Sequence, residues 1–376
     1  MTDVGTTVEA YQLIHPTPYV QLYNANFQFQ LTTNSILEVG YLGSQGRKLQ
    51  VGYSNGHNNS ADSGGLNINQ LSPSYLNLGP QLNQQVRNPF YGSITSGPLS
   101  GQTIPYYQLL LPYPQYTAVY LAGETPGASS SYNALTMKYS YRLRQGLAAL
   151  ITYQWSKAMD NTSETQGWET KDQPRNAYNL AVERSVSAHD VPQYFTAAVV
   201  WELPIGRGRS FGFHMSKLAD SLIGGWQVST IVRLESGLPL QFSCASTLAV
   251  YGFQACRPNI TSLTSLASVH RTLDEWFNTS SAVISAPPAY TIGNAPRYVP
   301  NERWGGFPNA NLTLKKTVSI RETLRLTLQA SAYNISNTPD YGKADTNVSS
   351  PTFGKITRIS GDSIPRNVEF ALRVQF

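Results

Sequence analysis

Arg366-Asn-Val-Glu-Phe-Ala-Leu-Arg-Val-Gln-Phe376 closes the sequence. Val368, Phe370, Leu372, Val374 and Phe376 are apolar, and Asn367, Glu369, Arg373 and Gln375 between them are polar, with small Ala371 completing the second set. This is a strict period of two, the signature of a strand with two unlike faces. One apolar face and one charged face suit the wall of a transmembrane barrel, where one side meets lipid and the other water.

The same alternation recurs upstream. In 323–336, Leu324, Leu326, Leu328, Ala330 and Ala332 oppose Arg325, Thr327, Gln329 and Ser331. A short turn at Arg321-Glu322 joins this stretch to a strand over 311–320. Residues 130–143 carry Leu135, Met137, Tyr139 and Tyr141 against Lys138, Ser140 and Arg142. After Arg144-Gln145-Gly146 the pattern resumes over 147–157, which makes the clearest hairpin in the chain. Strands are also expected over 19–32 and 35–47, joined by Thr33-Asn34, and over 194–203. Residues 226–243 read as one bent strand, because Gly237 and Pro239 mark a kink, with a separate short hairpin as the alternative. A brief helix fits 215–222.

About nine long strands result. The connections 48–129, 158–190 and 244–309 and the one before the last strand are long, whereas those between are short. Placing every long connection outside the cell and every short turn in the periplasm assigns the fold with the C-terminus periplasmic, the one exception being the longer connection Ile205 to Gly225, the weakest turn in the scheme. The expected fold is all-β, a partial antiparallel transmembrane β-barrel with long extracellular loops. It occupies 19–376, after an unassigned lead-in at 1–18. An odd strand count, with no signal peptide legible at the N-terminus, reads as a portion of a larger protein.

Composition agrees with a barrel. Charged residues make up 13% of the 376, about half the roughly 25% usual for a soluble domain. No run of about 18 apolar residues is present, which excludes a helical span and leaves a barrel untouched. The net charge of +5 is scattered, without the contiguous basic stripe that nucleic acid requires. Basic loops facing anionic lipopolysaccharide and outer-membrane lipid account for it instead.

Candidate functional residues are few. Cys244 and Cys256 are the only cysteines and either pair across a loop in an oxidising compartment or remain free. His270 stands too alone to suggest zinc, and neither metal nor cofactor is expected. His189-Asp190 reads as a loop-to-strand junction rather than a catalytic pair, since neighbours on a strand point to opposite faces. No enzymatic chemistry is expected. Lys138, Arg142, Arg233, Arg325 and Arg373 fall on the polar, lumen-facing side, where they either guide an anionic solute or fill a polar wall. Trp155, Trp201, Trp226, Tyr139, Tyr141 and Tyr153 fit aromatic girdles at the bilayer interfaces. A soluble all-β carbohydrate-binding or hydrolytic domain would need paired catalytic carboxylates, and none are evident.

Several blocks in order carry a family resemblance: Leu110-Leu-Pro-Tyr-Pro-Gln-Tyr116, Ser131-Tyr-Asn-Ala-Leu135, Gly146-Leu-Ala-Ala-Leu-Ile-Thr-Tyr-Gln-Trp-Ser-Lys157 and Glu202-Leu-Pro-Ile-Gly-Arg-Gly208. Gly224-Gly-Trp-Gln-Val228, Ser236-Gly-Leu-Pro239, Trp276-Phe-Asn278, Tyr333-Asn-Ile-Ser-Asn-Thr-Pro339 and Ser349-Ser-Pro-Thr-Phe-Gly354 follow. The chain thereby resembles the C-terminal part of TonB-dependent transporters, specifically the Oar-like group with an N-terminal carboxypeptidase-regulatory-like domain. Barrels of that type have about 22 strands and a plugged lumen. The resemblance implies a plug and a TonB-contacting segment upstream of this chain, uptake of an unknown ligand across the outer membrane, and recognition of the strand ending in Phe376 by the barrel-assembly machinery. A structural or adhesive surface protein, using the barrel to anchor its loops, is the alternative.

Overall fold

The computed structural model describes residues 3–13, 16–51, 66–122, 126–143, 146–163, 173–268, 270–320, 324–361 and 363–376. Alternating sequence produces a wall of nine long strands: β1 Tyr19–Thr32, β2 Ser35–Gln50, β3 Pro126–Leu143, β4 Leu147–Asp160, β5 Gln193–Glu202, β6 Trp226–Glu235, β7 Phe307–Ser319, β8 Arg325–Tyr333 and β9 Asn367–Gln375. Each pairs antiparallel with its neighbours in the chain, and the two-residue strand Ser185–Val186 adds to the far end of β4. β1 and β9 are the two edges of the wall, and the barrel is not closed between them.

Register shows a consistent stagger. The row that starts at Ser35, beside the Thr33-Asn34 turn, passes through Tyr141, Ala149, Val199, Thr230, Leu312 and Ala332 to Val368. It thus climbs from the short-turn end of β2 to the long-connection end of β9. Strands tilted and sheared in one direction are what barrel curvature requires.

Because opposed residues share a face, the register also fixes the two surfaces. Phe27, Val39, Met137, Tyr153, Phe195 and Leu234 form one continuous apolar row. Farther along, Leu314, Ala330 and Phe370 form another on the same side. These side chains are largely uncovered, Phe370 being 82% exposed and Phe27 64%. The other face carries Gln28, Glu38, Thr136, Thr152, Thr196, Thr313, Gln329 and Glu369.

The buried core lies elsewhere. Among the described residues, the nine wall strands give only Ala128 and Ala134 to the buried apolar set. The rest comes from the long connections, which pack on one another. Leu240, Phe242, Leu266, Phe277 and Val299 form one cluster, with Phe242 and Phe277 edge to face at 4.8 Å between ring centres. Leu71, Leu76, Leu82, Leu111, Tyr251 and Phe253 form a second.

Several expectations are corrected here. Residues 226–243 are not one strand: β6 stops at Glu235, and Pro239–Leu240 pairs with Val299–Arg303 in a separate two-stranded sheet. The cause is Gly237, whose backbone runs against that of Trp304 and Gly305 too closely for a side chain, while Leu240 is fully buried in the core of the connections. Within the 1–18 lead-in, Thr7–Tyr11 is a strand pairing in parallel with Ala118–Ala122. The short helix is Lys217–Ile223, capped by the Ser216 hydroxyl accepting from the Ala219 amide. Arg144-Gln145 and Arg321-Glu322, with Thr323, lie outside the described residues.

Candidate functional site

The chemistry available to a ligand lies in two places: the polar face of the wall and the folded connections above it. On the wall, all five basic residues singled out from the sequence occupy the polar face, but they do not converge. Lys138 sits directly across from Glu38 on β2 at 3.3 Å. Arg233 binds Glu235, two residues on, at 2.6 Å, with its guanidinium 5.4 Å from the Tyr194 ring and 5.2 Å from that of Phe307. Arg142 lies near the short-turn end of β3. Arg325 and Arg373 lie one register step apart, opposite Gln375 and Thr327 respectively. These are separate charges along a polar wall rather than one anion site.

The terminal strand places Val368, Phe370, Leu372 and Val374 opposite Ala332, Ala330, Leu328 and Leu326. Phe376, beyond the last pair, is 99% exposed. Aromatics mark two levels on the apolar face. Trp201 and Trp226 lie at the short-turn end, and Trp201 pairs with Leu147. Trp155 lies eight residues farther along β4 than Leu147, in line with Tyr41 and Leu135. At about 3.4 Å per residue and about 40° of tilt, the levels are about 20 Å apart, close to the apolar height of an outer-membrane barrel. Lys316 is a charge between the two aromatic levels of this face that sequence reading missed. Its ammonium donates to the Gly224 carbonyl and lies 5.4 Å from the Trp226 ring, so it reaches the short-turn interface rather than lipid.

Above the wall, buried ion pairs hold the second and third long connections to the end of β4. Arg297, 1% exposed, donates to the Asp160 carboxylate, to the Asp160 carbonyl at 3.0 Å, to Ser163 Oγ at 2.8 Å and to the Glu183 carbonyl at 3.1 Å. The Glu183 carboxylate lies 3.6 Å from both Arg175 and Arg257. Arg303 donates to the Asp190 carboxylate at 2.6 Å and to its carbonyl at 2.7 Å, while Asp190 also accepts the Ala158 amide at 2.6 Å. Asp190 is thus a structural clamp at the loop-to-strand junction. The pairings of Arg297 and Arg303 link residues more than a hundred positions apart, and only the concentration of arginine in an otherwise charge-poor chain hints at them. Cys244 and Cys256 are disulfide-bonded in the same region, with Cα atoms 5.2 Å apart.

Glu302 is fully buried, 3.0 Å from Arg271, and its Oε1 has no hydrogen-bond partner. Burial pushes its pKa above the ordinary glutamate value, with the Arg271 charge pulling it back in part. The folded protein therefore keeps this proton at a pH where the unfolded chain has released it. Its contribution to stability is greatest below the unfolded pKa and falls as pH rises through the interval up to the folded one. Glu302→Gln is expected to remove that part of the slope in urea midpoints measured from about pH 4 to about pH 7. An unchanged slope would assign the titration to another group.

With wall, belts and cap in place, residues 2–369 match the profile of a family described as an outer membrane beta barrel domain. The chain belongs to that family. This outer-membrane barrel resembles two solved structures: the outer membrane transporter YddB from Escherichia coli, at 9% identity and a TM-score of 0.42, and P. aeruginosa FpvA bound to heterologous pyoverdines, at 11% and 0.35. The alignments cover 99% and 95% of this chain, but 34% and 27% of the respective transporters. The chain thus spans about a third of the length of YddB. No curated protein sequence matches it.

Proposed function

We propose that this outer-membrane barrel is the C-terminal portion of a TonB-dependent transporter of the Oar-like group, taking part in ligand binding and uptake. The observation that carries this reading is the open wall. Among the described residues, β1 and β9 each have a partner strand on one side only, and a bilayer tolerates no unpaired sheet edge. Further strands on both sides satisfy those edges, as in a wide barrel with a plugged lumen. The ordered blocks of the family resemblance support the assignment. Gly146 to Lys157 spans the start of β4 and most of its length, Gly224-Gly225-Trp226 leads into β6, and Tyr333 to Pro339 follows the end of β8.

In this reading the long connections are extracellular and the C-terminus periplasmic. The folded cap and polar inner wall meet the ligand, energy coupling enters through an upstream plug and TonB-contacting segment, and β9 with Phe376 is presented to the assembly machinery by strand addition. An adhesive surface protein is the second reading. It is favoured by one feature, the self-packed cores of the connections, which suit an external contact surface. The two separate on an unboiled gel. The chain produced alone in detergent is expected to give no compact, heat-shifting β-rich species, and producing it with the remainder of its barrel restores one. A compact species from the chain alone would favour an independent anchor.

A further inference from the structure

On the apolar face, directly beyond the Tyr41, Leu135 and Trp155 level, the character of the wall changes. The next row toward the long connections pairs Gly43, Asn133 and Lys157, and the one after it Gln45, Ser131 and Met159. Arg184 reaches over this second row from the neighbouring connection, donating to Ser131 Oγ at 2.8 Å and Ser129 Oγ at 3.1 Å. Arg47 lies one row higher on β2, beside Tyr19 of β1. Lys157, Arg184 and Arg47 are all exposed. A cleft of about 520 Å³ opens here, between Trp155, Tyr41 and Lys157 on the wall and Pro300 and Arg303 on the third long connection. Its one acid, Asp190, is already held by Arg303 and by the Ala158 amide. Asn133 accepts from the Tyr41 hydroxyl at 2.7 Å.

From the bilayer outward, this surface presents first apolar and aromatic groups, then the Asn133 amide with Lys157 in the same row, then Arg184 and Arg47 farther out; among the described residues lining the cleft the acid is Asp190, already paired with Arg303. We propose that it binds the phosphorylated headgroup of an outer-leaflet glycolipid, with acyl chains along Tyr41, Leu135 and Trp155 and phosphate between Lys157 and Arg184. Charge complementarity selects an anion, and the adjoining aromatic level selects one attached to acyl chains. The choice of leaflet rests on the reading that the long connections are extracellular.

The test uses the protein assembled in outer membranes and extracted in mild detergent, titrated by native mass spectrometry with diphosphoryl lipid A, its dephosphorylated form, phosphatidylglycerol and inorganic phosphate. Diphosphoryl lipid A is expected to bind, and the dephosphorylated form at least about tenfold more weakly. Lys157→Glu and the pair Lys157→Glu with Arg184→Gln are expected to weaken it by about tenfold or more, while Lys315→Glu on the polar face leaves it unchanged. Equal binding by wild type and the pair would overturn the proposal, as would full competition by millimolar phosphate or a preference for phosphatidylglycerol. Orientation is read separately by an impermeant thiol reagent on intact cells carrying Tyr178→Cys in the second long connection. Absence of labelling there would remove the leaflet assignment while leaving the lipid titration to stand or fall by itself.

Discussion

Leu314→Arg is expected to destabilise the assembled barrel by about 2–4 kcal/mol, while Thr313→Arg, one residue earlier, changes it little. Leu314 sits mid-strand on β7 in the apolar row, between Val228 and Ala330, and Thr313 points to the opposite face beside Ser331. A guanidinium at position 314 sits in the lipid-facing row between the two aromatic levels, where it must either be desolvated among acyl chains or stretch past Lys316 to the short-turn interface. At position 313 it joins a polar wall that already holds Lys315. Urea unfolding of outer-membrane-assembled protein, followed by loss of the heat-shifting band, measures both. Equal penalties would mean that the two faces are not lipid and water.

Arg297→Met carries the second large effect, about 3–5 kcal/mol lost from the cap above the wall. The substitution keeps much of the side-chain volume but strands the Asp160 carboxylate in a buried site, along with the Glu183 carbonyl. Removing one partner of a buried pair costs far more than the pair contributes, because the remaining charge stays desolvated. Asp160→Asn in the Arg297→Met background relieves the orphaned charge and is expected to recover part of the loss. Limited proteolysis of the connections 161–192 and 236–306 reads the difference. The wall should keep its heat-shifting behaviour in both variants, since its register does not depend on these contacts. A variant as protease-resistant as wild type would show that Arg297 does not hold the cap.

The wall was legible in the sequence because a strand between lipid and water has no other way to satisfy both sides than alternation. The beginnings of β1, β2, β4 and β6 coincide with the expected ones, and β8 and β9 show the pattern at nearly every position. Legibility failed where the environment changed. Past Glu235 the chain leaves the bilayer wall, and Leu240 is buried by Val299 and Phe242 in the connections, so alternation no longer reports a wall strand. The short strands Asn259–Ile260 and Ile284–Ser285 are too brief to show a period. The clamps that join Arg297 to Asp160 and Glu183, and Arg303 to Asp190, rest on pairings between distant segments, which no local pattern encodes. The five basic residues were legible as sharing the polar face, but not their partners: only Glu38 and Glu235, each within two residues or one strand of its arginine or lysine, followed a readable rule.

The central claim is that the nine strands separate lipid from water. Nitroxide labels placed singly at 311–315, 317 and 318 along β7, in protein assembled in outer membranes, test it directly. Labels at 312, 314 and 318 are expected to collide preferentially with oxygen dissolved in lipid, and those at 311, 313, 315 and 317 with a water-soluble nickel chelate, giving accessibilities that alternate with period two. Low accessibility to both reagents at every even position would place that face against a second sheet of protein, and the account of this chain as a membrane-spanning barrel wall would be wrong.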